Sequence, residues 1–262
     1  MHAGFARHRA DPDRARSVFL DRLPGYALAL ALGPGILFFV SDGMPADFSQ
    51  VLDDMQRVYA QVDHYTATFL LQERIRGDLG ETQLAALKFK KPFKVSMRWL
   101  DGPNKGRQAL YPAGPGDNRL LVRIPILVGA ITLRLDPQGG VAMKGRRHPI
   151  TDIGIGRLLE FLRESAHRGP GEGEFFVEDR GAHTTFDRPT HRYSLHSRAD
   201  RLRGYDGMSA VIDVDRERHL PIYMELSDGN GQLVERYGYL DLHLNPGLTD
   251  ADFDPKNPHS GF

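Results

Sequence analysis

The chain contains no cysteine. Disulfides, thiolate metal sites, a cysteine nucleophile and an acylated N-terminal cysteine of the bacterial lipoprotein kind are therefore excluded. It also lacks an excess of either charge: 34 basic residues stand against 34 acidic ones, and the basic ones are scattered. Nothing in that balance draws the whole chain to nucleic acid or to anionic lipid, and no nucleic-acid partner is expected. No serine elbow is present, because Gly207-Met208-Ser209-Ala210-Val211 lacks the closing glycine. Gly154-Ile155-Gly156 and the glycines at 169–173 neither follow a strand nor open a helix with a lysine, so they do not make a phosphate cradle.

What the chain has in quantity is turn formers, 28 glycines and 17 prolines, which favour many short strands over long helices. Its N-terminus begins with a polar stretch carrying Arg7, Arg9, Arg14, Arg16 and Arg22, followed by the uncharged run Leu23–Val40. A basic leader before an apolar run predicts export, with residues 1–43 as signal peptide or membrane anchor and 44–262 as one domain. Ser41 and Gly43 are small enough for a cleavage site before Met44. Pro24, Gly33, Pro34 and Gly35 interrupt the run, which is short for a spanning helix of about 20 residues. Cleavage and retention both fit; either way the domain is expected in the periplasm or anchored in the inner membrane facing it.

From Asp47 the pattern is helical: Phe48, Val51, Leu52, Met55, Val58, Tyr59 and Val62 share one face. The period then drops to two. Tyr65, Ala67, Phe69, Leu71 and Glu73 alternate with Thr66, Thr68, Leu70, Gln72 and Arg74, and Glu81–Phe89 is read as the paired strand. Phe93, Val95, Met97 and Trp99 alternate with Lys94, Ser96, Arg98 and Leu100; further strands follow at Arg107–Pro112, Leu120–Ile124 and Ile131–Leu135. The run Ile124–Ala130, broken by Pro125 and Gly129, suits a corner, a buried loop or a flap over the sheet. A second helix is expected on Ile155, Leu158, Leu159 and Leu162. Strands resume at Glu174–Glu178, His183–Phe186 and His191–Arg198. A meander over Ala210–Asn245 would then turn Ile222, Met224 and Leu226 inward, with Leu240, Leu242 and Leu244 alongside. Together these give a mainly β, α+β chain with an antiparallel sheet and helices on one face.

Eleven histidines invite a metal or acid–base reading. The best cluster is His183 and His191 across a hairpin with Asp187 at its turn, and an envelope hydrolase or metal enzyme would need those two to converge with a carboxylate. His191 and His196 fall on opposite faces of one strand. Asp213, Asp215 and Glu217 lack the glycine and the later glutamate of a calcium loop and are read as strand-end and turn residues. No catalytic residue, metal or cofactor is assigned, and the chain is read as non-enzymatic.

The apolar alternation has two readings. Phe69, Leu71, Phe93, Val95, Met97, Trp99, Tyr111, Leu120, Val122 and Met224 form either an ordinary core filled by the helices or the wall of a cavity for an acyl chain or other apolar ligand. In the second reading Ile126, Leu127, Leu158 and Leu162 form its lid.

The segment Lys91–Trp99 (Lys-Pro-Phe-Lys-Val-Ser-Met-Arg-Trp), Tyr111-Pro112, the Ile212-Asp213-Val214-Asp215 and Leu220-Pro221-Ile222 pair, and Tyr237–Phe253 together resemble the outer-membrane lipoprotein carrier (LolA-like) superfamily. Within it the chain is similar to an uncharacterised bacterial family of unknown function. That resemblance covers most of Asp47–Phe253. It implies an unclosed antiparallel half-barrel covered by helices, an apolar cavity walled by Phe93, Val95, Met97 and Trp99, and a carrier of lipid or lipidated protein, with membrane or envelope proteins as partners. Arg98 matches the arginine beside the tryptophan in the carrier pattern. The His148–Leu162 insertion and the missing partner-docking loop depart from it. A structural module in envelope assembly, using the rim of the sheet, is the competing reading.

Overall fold

The computed structural model describes residues 46–114, 116–166, 175–197 and 208–257. The expected leader and apolar run lie outside them. The chain divides into units 1–43 and 44–262, and all the described residues belong to the second.

The first helix, α1 (Ala46–Ala60), places Phe48, Leu52 and Met55 on one stripe, all essentially buried. Each such side chain contributes about 2 kcal/mol of burial, so the stripe rather than helix propensity holds α1 in place. Twelve strands follow in one antiparallel sheet: β1 (His64–Ile75), β2 (Asp78–Leu79), β3 (Gln83–Lys90), β4 (Lys94–Asp101), β5 (Gln108–Tyr111), β6 (Leu120–Pro125), β7 (Ala130–Leu135), β8 (Phe175–Thr185), β9 (Arg188–Ser197), β10 (Ser209–Asp215), β11 (Pro221–Ser227) and β12 (Leu233–Leu244). Between β7 and β8 lie a 3-10 turn at Ile150–Asp152 and the second helix, α2 (Ile155–Ala166).

The spatial order is β7-β6-β5-β4-β3-β1-β12-β11-β10-β9-β8, with β2 paired only to β1. The chain therefore meanders outward from β1 to the edge β7, moves to the opposite edge β8, and meanders back until β12 pairs with β1. Edges β7 and β8 do not pair with each other, so the sheet is unclosed. The segment that joins these edges carries α2, and its Ile150, Ile155, Leu159 and Leu162 belong to the core on the inner face of the sheet.

Alternation assigns the faces. Tyr65, Ala67, Phe69 and Leu71 of β1, Val95, Met97 and Trp99 of β4, Ile212 and Val214 of β10, and Ile222, Met224 and Leu226 of β11 belong to one core with the helices. Phe48 of α1 meets Tyr193 of β9 with ring centres 5.0 Å apart. The helices approach closely at Gly156, where a Cβ would lie 2.8 Å from the Tyr59 ring, so a larger residue would push α1 and α2 apart.

Several expectations are corrected. The run Ile126–Val128 is neither a buried loop nor a flap: it is the tip of the β6–β7 hairpin, closed by Ile126 N–H donating to Gly129 O at 3.1 Å, and Leu127 is fully exposed. The proline and glycine that disfavour a strand there terminate β6 and shape a turn. The strands expected at Glu174–Glu178 and His183–Phe186 are not separate: β8 runs unbroken from Phe175 to Thr185 with a register shift between Asp179 and Gly181, Phe186 begins the turn, and Glu174 lies outside the described residues. In β12, Leu240 and Leu242 do not share a face. Asp241 adopts φ +49°, and the β1–β12 register slips by one residue there, so Tyr239 and Leu242 both reach the core.

The outer face has a small core of its own. Phe186, at the β8–β9 turn, packs edge-on against Tyr223, and its ring fills the space above Gly238.

Candidate functional site

The inner core is not completely filled. A cavity of about 470 Å³ lies between the β4–β7 half of the sheet and the segment leading through α2. Its wall is Phe69 and Leu71 of β1, Met97 and Trp99 of β4, Ala109 of β5, Leu120, Val122 and Ile124 of β6, Leu133 and Leu135 of β7, Met224 and Leu226 of β11, and Tyr239 of β12. Its cover is Pro137, Val141, Ala142, Ile150, Ile153, Leu158 and Phe161. Among the described residues no α1 side chain lines it; the α1 stripe lies in the core reached by Tyr193. Ala109 presents only a methyl where its neighbours Met97 and Val122 are large, which leaves room at the middle of that wall.

Trp99 is held in place at this wall. Its indole N–H donates to Gln83 Oε1 at 2.9 Å, and the Asn104 side-chain amide donates to the same oxygen at 2.8 Å. The guanidinium of Arg146 lies over the indole face, 4.8 Å from the ring centroid.

The lining also carries charged groups: Asp152, Arg157, Glu160 and Glu164 at and along α2, and a hydrogen-bonded cluster around Glu235 and Glu73. Glu235, nearly buried on β12, accepts from Arg147 Nε at 2.7 Å and pairs with His148 Nε2 at 2.9 Å. Tyr237 donates to Glu73 Oε1 at 2.7 Å, and the Arg147 backbone N–H donates to Glu73 Oε2 at 3.4 Å. Burial works to raise the pKa of Glu235, but the bonds and charges of His148 and Arg147 outweigh it and hold the carboxyl below its ordinary range. The same bond raises the pKa of His148 against the opposing effect of its burial. Burial, with Glu235 and Glu73 alongside, pushes the Tyr237 phenol well up, so it stays a neutral donor.

Of the sequence-predicted wall residues, the structure brings Phe69, Leu71, Met97, Trp99, Leu120, Val122 and Met224 to the cavity, with Leu158 from the cover. Phe93, Val95 and Tyr111 lie on the same face beyond it: Val95 is completely buried, and Phe93 stacks edge-to-face with both Phe89 and Tyr111. Leu162 is fully buried in the core, and Ile126 and Leu127 sit at the exposed hairpin tip. Arg98, on the outer alternation of β4, is exposed.

The histidine pair does not assemble. His191 is opposite Ala182, and His183 is opposite Thr190, so the two point to opposite faces; His191 pairs with Asp179 at 2.5 Å. Among the described residues no group of three metal-ligating side chains comes together. Asp213 is not at a strand end. It is fully buried on the outer face, with Arg192 forked onto both oxygens at 2.6 and 2.7 Å and the Thr185 hydroxyl donating at 2.6 Å. Asp215 does cap a turn, accepting the backbone N–H groups of Glu217 and Arg218 at 2.9 Å, and also pairs with Arg188. Although burial opposes it, these bonds bring its pKa down to about 2.

Sequence reasoning missed Glu73, Glu235, Tyr237, Tyr239, Arg146 and His148 as site residues. Period-two reading of β12 could have placed Glu235, Tyr237 and Tyr239 on one face; the loop carrying Arg146 and His148 has no periodicity to read.

Residues 62–262 match the sequence model of a family described as "Protein of unknown function (DUF1571)". No curated protein matches the chain. Solved structures similar to it include MucB (16% identity, TM-score 0.48, covering 81% of this chain and 64% of that one). The lipoprotein LppX of Mycobacterium tuberculosis is also similar (10%, TM-score 0.44, 77% and 98%), as is a LolA superfamily protein from Nitrosomonas europaea (12%, TM-score 0.32, 78% and 96%). The chain spans less than two thirds of the length of MucB. At these TM-scores the likenesses bear on neither ligand nor partner. Among the described residues no helix is long and apolar enough to cross a membrane.

Proposed function

The chain belongs to the DUF1571 family, and from its cavity we propose that it is a non-enzymatic binding protein of the bacterial cell envelope that holds a lipid, acyl chain or other apolar ligand between its sheet and its helical cover. The observation that carries this reading is the unfilled space of about 470 Å³ against Phe69, Met97, Trp99, Ala109 and Val122. Apolar side chains around a vacant volume lose packing contacts, a cost that a bound ligand removes. The size falls within the range of ligand pockets, and the sheet side of the wall is mostly apolar, with charged side chains contributed by the loop before α2, by α2 itself and by Glu73, Arg107 and Glu235. Glu235 is bonded to Arg147 and His148, and Glu73 to Tyr237. The basic leader and the run Leu23–Val40 support a periplasmic or inner-membrane-anchored location, and with it a role in envelope lipid or lipoprotein transport.

A second reading, an interaction module in envelope assembly, is favoured by Ile126, Leu127 and Val128, which expose an apolar hairpin tip. Organic extraction and mass spectrometry of protein purified without detergent distinguish the two. The carrier reading expects an apolar molecule at a fixed ratio to protein, or its saturable uptake by stripped protein; absence of both leaves the interaction module.

A further inference from the structure

We propose that the cavity is built for an amphiphile with an anionic head and one apolar chain, and that Arg146 is the residue that receives the head. This inference rests on the ligand-carrying reading and adds the chemistry of the ligand.

Arg146 is half-buried at the cavity wall, its guanidinium laid over Trp99. Among the described residues it has neither an ion pair nor a side-chain hydrogen bond. Its neighbours are committed elsewhere. Glu73 accepts from the Tyr237 hydroxyl and from the Arg147 N–H, and Glu235 is held by Arg147 and His148. Arg107 and Lys144 line the same cavity, and Arg107 adds repulsion rather than compensation. Burial pulls the Arg146 pKa below its ordinary value, with the attraction of Glu73 too weak to restore it.

A guanidinium carries five N–H donors, stays charged in proteins, and matches carboxylate and phosphate oxygens with its planar fork. Glu73 attracts Arg146 but makes no ion pair with it, and leaving such a group partly desolvated with no carboxylate in contact is unfavourable unless a contacting anion arrives with something else. The guanidinium rests over the Trp99 face, and Gln83 in turn holds Trp99, so the charge is placed at the wall before anything binds. Beside it the wall is apolar: Phe69, Met97, Leu120 and Val122. A methylene occupies about the room of a water, roughly 30 Å³, so the volume takes on the order of fifteen heavy atoms, one chain rather than two.

The chain's one tryptophan is Trp99, so its fluorescence reports this site without labelling. Full-length protein is titrated with palmitate, hexadecyl phosphate and hexadecanol, each below its aggregation threshold. The expected result is that the two anions bind about tenfold or more tightly than the alcohol, the effect of a charge-assisted hydrogen bond in a partly desolvated site. Arg146→Gln is expected to bring both anions to the level that the same variant shows for hexadecanol, with the variant's fold checked by its thermal unfolding. Arg146→Lys, a point charge without the fork, should retain part of the preference. Equal binding of anions and alcohol by the unsubstituted protein overturns the inference and leaves the carrier reading standing. Persistence of the preference in folded Arg146→Gln also overturns it. Saturable binding of none of the three removes the carrier reading and this inference with it.

Discussion

The hydroxyl of Tyr65, on the first strand, accepts the backbone N–H of Ile155 at 3.1 Å and so ties the start of α2 to the middle of the sheet. The ring is fully buried and stacks on Phe89, and a Cβ on the neighbouring Gly154 would meet both. That bond satisfies one of the N–H groups left open at a helix start. It also fixes where the cover sits over the cavity.

Tyr65→Phe removes the acceptor and leaves the packing nearly unchanged. The expected cost is about 1 kcal/mol in denaturant unfolding. Because the lost bond anchors α2, amide exchange should accelerate at its first turn more than in β1, and a bound ligand should dissociate faster.

Gly238 and Phe186 make a second paired test on the outer face. A Cβ at 238 would lie 2.5 Å from Phe186 Cζ, and Phe186 is held at φ +53°, where a bulky residue is strained. Gly238→Ala is expected to destabilise by about 1–3 kcal/mol. The double variant with Phe186→Ala should cost less than the sum of the two single variants, since the clash has gone. Additive costs in thermal unfolding would contradict the contact.

The Asp213–Arg192 pair is the third. Asp213→Ala strips the fork and the Thr185 donor of their acceptor, with an expected loss of about 3–5 kcal/mol. Asp213→Asn keeps the shape and one acceptor and should lose less. Both are read in denaturant unfolding, with ligand affinity as the control that stays unchanged, because the pair lies on the face away from the cavity.

The fourth concerns pH. The folded pKa of His148 is raised above its ordinary 6.5 by Glu235, so its contribution to stability is complete below 6.5 and is lost as pH rises through the folded value. The folded pKa of Glu235 is depressed below its ordinary 4.5, so its contribution is present above 4.5 and is lost as pH falls through the folded value. Their mutual contribution is therefore greatest between about pH 4.5 and 6.5. His148→Gln should lower the melting temperature most in that interval, and the difference from the unsubstituted protein should shrink towards pH 8.

Much of this architecture is written in local pattern. Phe93, Val95, Met97 and Trp99 are large and apolar at every second position, and the residues between them are polar or basic until Leu100, so the inner face of β4 is legible without a structure. The same holds for the stripe Phe48, Leu52 and Met55. The slip at Asp241 is not legible in this way. Its positive φ falls on an ordinary aspartate, and it moves Leu240 off the face that alternation assigns to it. Asp213 reads as a turn residue because carboxylates are usually exposed, and only Arg192 and Thr185, distant in sequence, make its burial tolerable. The cavity is illegible for a related reason: alternation shows that a face is apolar, but whether it is filled depends on how far the cover reaches. Arg146 owes its position over Trp99 to a loop without periodicity.

The ligand-holding cavity is put to its sharpest test by titrating the protein with N-phenyl-1-naphthylamine, a neutral apolar fluorophore, read by energy transfer from Trp99. An open cavity gives saturable binding at one site, competed by a long-chain amphiphile. Binding is then expected to be lost in Ala109→Phe, which fills the middle of the wall, without a fall in melting temperature. Absence of saturable binding, or binding unaffected by Ala109→Phe, would show that the cavity holds no such ligand.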